Sequence, residues 1–180
     1  PLFPNRPQRF KPRGVAARSI DHVTIATANP EKDAFWYGET LGHRYMEATV
    51  ADPEAKFGEF VVFGMTTVCE RSHDMGLVAD FSGAPGRVNH IAYWVDQREE
   101  LRRAADVLLD ADIAIEFGPG RHGMGEQDYL YCREPGGMRI ELNSGGYHNY
   151  EPDFETVRWT PSQGSNVYYK NLKMPHSMHE

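Results

Sequence analysis

Two stretches, SIDHVTIAT at residues 19 to 27 and RVNHIAYWV at residues 87 to 95, decide how this sequence is expected to fold. Both are rich in β-branched and aromatic residues, which are typical of β-strands. Each has a histidine as its fourth residue, His22 in the first and His90 in the second. The two histidines are 68 residues apart, a period that indicates two copies of one supersecondary unit.

The elements that follow each stretch repeat in the same order. A helix is predicted over residues 30 to 42, between Pro30 and Gly42, and a second helix follows the capping-box pattern of Asp96 and Glu99. Three short strand-like runs come after each helix. They are RYMEATV, FGEFVVFGM and HDMGLVAD in the first half, and DIAIEF, QDYLYCR and GMRIELN in the second. Both halves therefore predict the order βαβββ.

The predicted fold class is α+β, with two βαβββ modules whose paired mixed sheets enclose a central cavity. The modules span about residues 19 to 80 and 87 to 147, inside a domain that covers residues 19 to 150. Residues 1 to 18 are rich in proline and lack hydrophobic periodicity, so they predict an extended arm or an interdomain linker. Residues 151 to 180 are expected to form a C-terminal extension that packs on the domain.

Length and composition limit the classes of function. At 180 residues the chain suits one functional unit, and no run approaches the roughly 20 apolar residues of a membrane span. The net charge is −7, and because the first 20 residues hold five basic side chains and no acid, the rest carries −12. This excess of acid argues against nucleic acid as a partner. With two cysteines and no apolar signal segment, a cytoplasmic location is expected.

Four side chains are expected to face the central cavity. If a pseudo-twofold axis relates the modules, His22 and His90 point at one spot from opposite sheets. Alternation along the last predicted strand places Glu141 on its polar face, together with Arg139 and Asn143. Glu141 follows His90 by 51 residues and His73 follows His22 by 51 residues, so positions 73 and 141 are predicted to be symmetry mates.

Two histidines and one carboxylate form the facial triad that suits non-haem Fe(II) and leaves coordination positions open. The stretch from residue 118 to 159 adds a second pattern, in which Tyr131 follows His122 by nine residues and Glu141 follows Tyr131 by ten. This pattern is similar to the signature of type I extradiol ring-cleaving dioxygenases of the vicinal oxygen chelate superfamily. The chain resembles their catalytic C-terminal domain, and it looks closest to the catechol 2,3-dioxygenases.

The resemblance implies a fold, a reaction and a role for each residue. The fold is that of the glyoxalase, bleomycin-resistance and extradiol dioxygenase proteins. His22, His90 and Glu141 are expected to bind Fe(II), for which Mn(II) is a substitute. His122 and Tyr131 are expected to act on the substrate side, and His73 on the oxygen side. The implied reaction cleaves a catechol-type ring with dioxygen next to the hydroxyl pair, giving a hydroxymuconic semialdehyde type of product.

Two other functions remain open at this point. A glyoxalase-like isomerase would bind a divalent ion with four ligands, His73 being the fourth. A non-enzymatic relative would hold a small molecule between its modules without a metal. The resemblance also implies a homo-oligomer and an N-terminal domain that is missing or separate, because the extradiol enzymes carry a further copy of the paired modules.

Overall fold

The computed structural model describes residues 14 to 52, 59 to 169 and 173 to 179. Its first module consists of β1 (Ser19–Thr27), α1 (Pro30–Leu41), β2 (Arg44–Val50), β3 (Val61–Thr67) and β4 (Met75–Ala79). The second consists of β5 (Arg87–Trp94), α2 (Arg98–Asp110), β6 (Ile115–Arg121), β7 (Gln127–Arg133) and β8 (Arg139–Gly145). The strand β9 (Val157–Trp159) follows. The predicted βαβββ order and α+β class are confirmed, whereas residues 1 to 13 of the predicted arm lie outside the described residues.

The sheets of the two modules are joined edge to edge. The strands form one mixed sheet in the order β6-β7-β8-β5-β1-β4-β3-β2-β9. The junction is the antiparallel pair of β1 and β5, while each of these strands pairs in parallel with the last strand of its own module. If the two sheets were separate, each would have an inner edge strand with unpaired backbone N–H and C=O groups. The pairing of β1 with β5 provides hydrogen-bond partners for both edges.

Two β-bulges interrupt the junction between β1 and β5. Ile20 pairs with Tyr93 and Val23 with Ile91, so Asp21 and His22 together lie opposite a single residue. Farther along, a second register shift leaves Asn89 as the extra residue of β5. Because bulges change the direction of side chains, neighbours in sequence can face the same side. Asp21 and His22 are both buried for this reason, and so are Asn89 and His90.

The helices begin and end largely where the sequence predicts. In α1 the side chain of Asn29 accepts a hydrogen bond from the backbone N–H of Lys32, and Gly42 ends the helix with φ of 74°. The predicted capping box of α2 at Asp96 and Glu99 is wrong by one residue. The carboxylate of Asp96 accepts a hydrogen bond from Arg18 instead. The helix therefore begins at Arg98, and the backbone N–H of Gln97 donates to Glu100.

The predicted symmetry between His73 and Glu141 is also wrong. The sheet register pairs Val23 with Met75 in the first module and Ile91 with Ile140 in the second. The counterpart of Glu141 is therefore Gly76, and the equal spacing in sequence is a coincidence, because the first module is three residues longer before its last strand. His73 precedes β4 instead of lying within it.

The chain after residue 150 contacts both modules. The strand β9 pairs in parallel with β2 at the edge of the first module. Near the C-terminus Met178 joins a buried cluster with Phe117, Tyr129 and Tyr131 of the second module. The helix α2 covers the outer face of that module, where Leu101 and Ala104 pack against Leu130 and Leu142. Among the described residues, no helix is both long and apolar enough to cross a membrane.

Candidate metal centre

Three side chains from three strands converge on one point between the modules. The Nε2 atoms of His22 on β1 and His90 on β5 are 3.2 Å apart. The Oε2 atom of Glu141 on β8 lies 3.2 Å from the first of these nitrogens and 3.1 Å from the second. All three side chains are buried. They are the group of potential metal ligands that the described part of the chain brings together.

Hydrogen bonds on the far side of each ring orient the two Nε2 atoms toward Glu141. The Nδ1 atom of His22 lies 2.9 Å from the carboxylate of Asp21, and Nδ1 of His90 lies 2.9 Å from Oδ1 of Asn89. Because these oxygens accept hydrogen bonds, each neutral ring carries its proton on Nδ1 and turns a lone pair toward Glu141. The centre therefore brings three electron-pair donors together.

Three electron-pair donors this close together require a positive charge between them. Burial alone would lower the pKa of His22, but hydrogen bonds to Asp21 and Glu141 outweigh burial and raise this pKa to about 9. In the same way, burial would raise the pKa of Glu141, yet the neighbouring imidazoles of His122, His22 and His90 hold it well below its usual range. The carboxylates of Asp21 and Glu141 thus favour a positive charge at the centre.

The donor set fits a divalent transition metal. Two imidazoles and one carboxylate on one face are typical of non-haem Fe(II) sites with open positions. The three atoms lie 3.1 to 3.2 Å from one another, which would allow one ion to contact all three at the usual distances of metal bonds to nitrogen and oxygen. The spacing and the chemistry of the three atoms thus agree with one another.

His73 lies beside the triad but is not part of it. Its ring centroid is 4.0 Å from that of His22, and its Nδ1 is 3.1 Å from the hydroxyl of Ser72. Burial and the nearby charge of His22 lower the pKa of His73 well below its usual value, so its ring is neutral. The ligand group in the described residues contains three members, whereas the isomerase alternative requires His73 as a fourth.

His122 and Tyr131 meet next to Glu141, as the family resemblance implies. The Nε2 atom of His122 is 3.1 Å from the hydroxyl of Tyr131 and 3.8 Å from Oε1 of Glu141. Its Nδ1 lies 2.6 Å from the carbonyl oxygen of Asn166, which can only accept a proton. Burial raises the pKa of Tyr131 well above its usual value, so Tyr131 is a phenol that donates to the free lone pair of His122.

The turn that carries His122 is anchored to the first module through Glu47. This buried carboxylate on β2 accepts a hydrogen bond from the backbone N–H of Gly125 at 2.9 Å and one from the hydroxyl of Tyr147 at 2.6 Å. Gly125 has φ of 62°, a conformation that favours glycine. The ring of Tyr129 stacks on His122 with centroids 4.0 Å apart. His122 is therefore fixed from both modules.

Beside the triad lies a cavity of about 430 Å³. Its walls are mainly apolar on both sides of the centre. The first module contributes Val62, Phe63, Met65, Val78 and Phe81, and the second module with the C-terminal part contributes Phe117, Met124, Val167, Met174 and Met178. Among the described lining residues, the histidines aside, none is basic, and Asp52 adds an acid. The cavity favours an uncharged, apolar molecule.

Sequence reasoning missed several residues around the centre. Asp21 and Asn89, which support the two histidines, went unnoticed because alternation in a regular strand would turn them away. Asn166 and Met174 lie in irregular segments and Met178 in a short 3-10 helix far along the chain, and no local pattern connects them with the cavity. One signal in the sequence could have revealed Asp21 and Asn89, because each is a polar residue directly before one of the two histidines.

Fold and site together define a class of protein in which two βαβββ modules enclose a candidate metal centre. The chain belongs to the Glyoxalase/Bleomycin resistance protein/Dioxygenase superfamily, because the sequence profile of that superfamily matches residues 19 to 142. This match covers more than half of the chain. It agrees with the fold, and the matched range includes all three residues of the triad.

Relatives within the superfamily include dioxygenases. The chain is 40% identical over 148 residues to a manganese-dependent 2,3-dihydroxybiphenyl 1,2-dioxygenase of Geobacillus genomosp. 3, covering 81% of this chain and 45% of that protein. It is 32% identical over 156 residues to a metapyrocatechase of Geobacillus stearothermophilus, covering 86% and 46%. The chain thus spans about half the length of the curated relatives it matches.

Solved structures give the same picture. Homoprotocatechuate 2,3-dioxygenase from Arthrobacter globiformis superposes with a TM-score of 0.78 at 25% identity, over 91% of this chain and 49% of that one. The 2,3-dioxygenase LapB from Pseudomonas sp. KL28 superposes with a TM-score of 0.74 at 26% identity, over 85% and 51%. In these structures, too, the similarity extends over about half of the relative.

Proposed function

We propose that this chain forms the catalytic part of an extradiol dioxygenase, which cleaves a catechol-type ring next to its hydroxyl pair. His22, His90 and Glu141 would hold Fe(II), or Mn(II) in its place. The convergence of two imidazole nitrogens and one carboxylate oxygen within 3.2 Å carries the proposal. The dioxygenase names of the relatives support it. The product would be of the hydroxymuconic semialdehyde type.

The metal role follows from what the three residues leave open. When bound, the ion supplies a redox centre that exchanges electrons with catechol and dioxygen, whose direct reaction is spin-forbidden. His22, His90 and Glu141 would hold the ion, and a set of two histidines and one carboxylate leaves coordination positions available to small molecules. The cavity lies beside these three residues and is large enough for a substituted aromatic ring.

His122 is the proposed base on the substrate side. Its Nδ1 proton is held by the carbonyl of Asn166, so that Nε2 presents a lone pair to the cavity. A catechol hydroxyl placed near Glu141 and Tyr131 can transfer its proton to this nitrogen. The phenol of Tyr131 would then donate a hydrogen bond to the substrate oxygen that has lost its proton. The pair thereby accepts one proton and stabilises one developing charge.

His73 is the proposed acid on the oxygen side. It contacts the centre next to His22, whereas His122 contacts it next to Glu141. A neutral, buried imidazole can both donate and accept a proton, and no bulk water competes with it for hydrogen bonds. His73 would hydrogen-bond to the oxygen side of the reaction and deliver a proton there.

The apolar walls of the cavity support a substrate class within the catechols. A carboxylate on the substituent would be buried beside Asp52 with no basic partner among the described lining residues. We therefore expect an uncharged catechol with an apolar substituent to react at least about 10-fold more efficiently, in kcat/KM, than a carboxylated one of equal size. Oxygen uptake with matched alkyl and carboxyalkyl catechols measures this ratio. Equal rates would contradict the expectation.

The remaining expectations stay predictions. They are assembly into a homo-oligomer, an additional N-terminal domain, and a cytoplasmic location. Cys69 and Cys132 form no disulfide bond. Catechol and dioxygen are the proposed small-molecule partners, and neither nucleic acid nor a membrane is expected as a partner.

An anaerobic reconstitution tests the proposed function. Metal-free protein is loaded with Fe(II) and a catechol without oxygen, and air is then admitted while oxygen uptake and the visible spectrum are followed. We expect oxygen consumption and a yellow ring-opened product from the wild type. The variants His22→Ala and Glu141→Ala should bind no iron and produce neither signal. A metal-loaded wild type that consumes no oxygen with any vicinal diol would overturn the proposal.

A further inference from the structure

Asp21 is a buried carboxylate that lies next to the triad without belonging to it. Its Oδ2 atom receives three hydrogen bonds, from His22 Nδ1 at 2.9 Å, Gln127 Nε2 at 3.0 Å and Asn143 Nδ2 at 2.8 Å. These donors belong to β1, β7 and β8, so Asp21 connects the two modules at the centre. Three donors around one oxygen give the carboxylate a single orientation, which in turn determines that of the His22 ring.

The two histidines of the triad are supported by different chemical groups. Each bulge places the preceding residue beside its histidine, which is Asp21 for His22 and Asn89 for His90. Both contacts have the same length, 2.9 Å. The first acceptor is a carboxylate and the second is an amide. A charged acceptor makes a hydrogen bond roughly twice as strong as a neutral one, so the two supports are unequal.

The residues that support the two histidines also differ in charge. The rings of His22 and His90 are neutral when they bind a metal, so Glu141 is the one charged ligand in the triad. A divalent ion with Glu141 alone would leave one positive charge in a buried site, which is costly. Asp21 is the next carboxylate along the hydrogen-bonded network and would offset this charge through Oδ2, while its Oδ1 lies 3.5 Å from the partly exposed guanidinium of Arg71. Asn89 contributes no charge.

We propose that Asp21 is the positioning residue of the metal centre, which both fixes His22 and supplies the second negative charge that a divalent ion requires. This inference rests on the proposed metal role of His22, His90 and Glu141. Partners behind a metal-binding histidine are typically worth about 10- to 100-fold in metal affinity. Because of its charge, Asp21 should contribute near the upper end of that range, and Asn89 near the lower end.

The variant Asp21→Asn keeps the size of the side chain and an oxygen that can accept from His22, but it removes the charge. Metal-free protein is titrated with Mn(II) and with Co(II) against a fluorescent chelator at neutral pH. We expect Asp21→Asn to weaken both dissociation constants by about 10- to 100-fold, and the control Asn89→Ala by less than about 10-fold. The visible spectrum of Co(II)-saturated Asp21→Asn should also change, because the ring of His22 is held less firmly.

Circular dichroism and thermal unfolding of the metal-free variants separate a metal effect from a folding effect. If Asp21→Asn does not fold, Gln127→Ala removes one donor to Asp21 while keeping the charge, and we expect it to weaken Mn(II) binding by about 2- to 10-fold. A folded variant with an unchanged dissociation constant and an unchanged Co(II) spectrum overturns the role of Asp21. A wild type that binds neither ion overturns the proposed metal site itself.

Discussion

At the scale of single residues, the site depends on where the protons of three imidazoles lie. His22, His90 and His122 each face an oxygen acceptor with Nδ1 and turn Nε2 toward Glu141. Two of these acceptors are the neighbouring side chains in sequence, and the third is a backbone carbonyl of the C-terminal part. Since an imidazole binds a metal or accepts a proton through an unprotonated nitrogen, these contacts prepare all three rings for their proposed roles.

Replacement of the residues around the triad should separate metal binding from turnover. We expect His122→Phe and His73→Ala to bind Mn(II) with the wild-type affinity within about 10-fold, while kcat falls by about 100- to 10,000-fold because a proton donor or acceptor is lost. Metal content is measured by atomic absorption and turnover by oxygen uptake. Loss of the metal from either variant, or full turnover by both, would contradict the roles proposed for these histidines.

At the scale of the elements, the last strands of the two modules differ at equivalent positions. The second module has Glu141, and the first has Gly76, where a Cβ atom would lie 2.3 Å from the hydroxyl oxygen of the buried Thr24. The centre between the modules therefore receives its carboxylate from one side alone. Although the modules repeat, the site that they form is asymmetric.

The crowding around Gly76 gives a stability prediction. Gly76→Ala should lower the free energy of unfolding by about 1 to 3 kcal/mol, because Thr24 is enclosed in the sheet and must move. The matched control is Gly38→Ala in the helix α1, where the nearest atom is 3.4 Å from the added Cβ, and its stability should be equal to or above that of the wild type. Urea unfolding of the metal-free proteins measures both. Equal stability of the two variants would contradict the close packing described for β4.

An ionic contact connects the strand β6 with β8 and, through β8, with the C-terminal part. Glu116 accepts hydrogen bonds from Arg139 at 2.8 Å and from Arg133 at 3.1 Å, and Arg139 also donates to the carbonyl of Ser177. Burial raises the pKa of Glu116, but the hydrogen bonds and charge of Arg139 outweigh burial and lower it to about 2. This contact therefore holds the segment of Met178 against the cavity wall.

The pH dependence of stability follows from the sign of this shift. A pKa lowered from 4.5 to about 2 stabilises the folded state above pH 4.5, and the contribution is lost as the pH falls toward 2. After allowance for solvent screening, we expect Glu116→Gln to cost about 1 to 2 kcal/mol at neutral pH. The difference from the wild type should shrink as the pH falls from 4.5 to 2. Urea unfolding across this pH range measures the stability of both variants and the wild type. The exposed control Glu99→Gln should show no such trend. A difference between Glu116→Gln and the wild type that stays constant with pH would contradict the prediction.

At the scale of the whole molecule, periodicity made most of the fold predictable. The strands RYMEATV and QDYLYCR occur with the predicted bounds, as does the order of elements in both modules. Each of these features depends on short-range patterns that a local stretch of sequence expresses. The resemblance to the extradiol dioxygenases then named the three residues that the structure brings together.

Several of the features that escaped prediction depend on pairing between distant strands. The bulges at Asp21 and Asn89 follow from the register of β1 against β5. The counterpart of Glu141 depends on the register within each module, so equal spacing in sequence misled the assignment of His73. The three polar residues Arg139, Glu141 and Asn143 of β8 are almost completely enclosed. Arg139 contacts Glu116, Glu141 contacts the two histidines of the triad, and Asn143 contacts Asp21, so their burial also depends on distant parts of the chain.

The most direct measurement is an anomalous difference map at the manganese absorption edge, from crystals of the wild-type protein grown with Mn(II). The proposed centre predicts one strong peak per chain, within bonding distance of Nε2 of His22, Nε2 of His90 and a carboxylate oxygen of Glu141. A map without a peak at this point, or with its peak on other residues, would contradict the claim that these three side chains hold the metal.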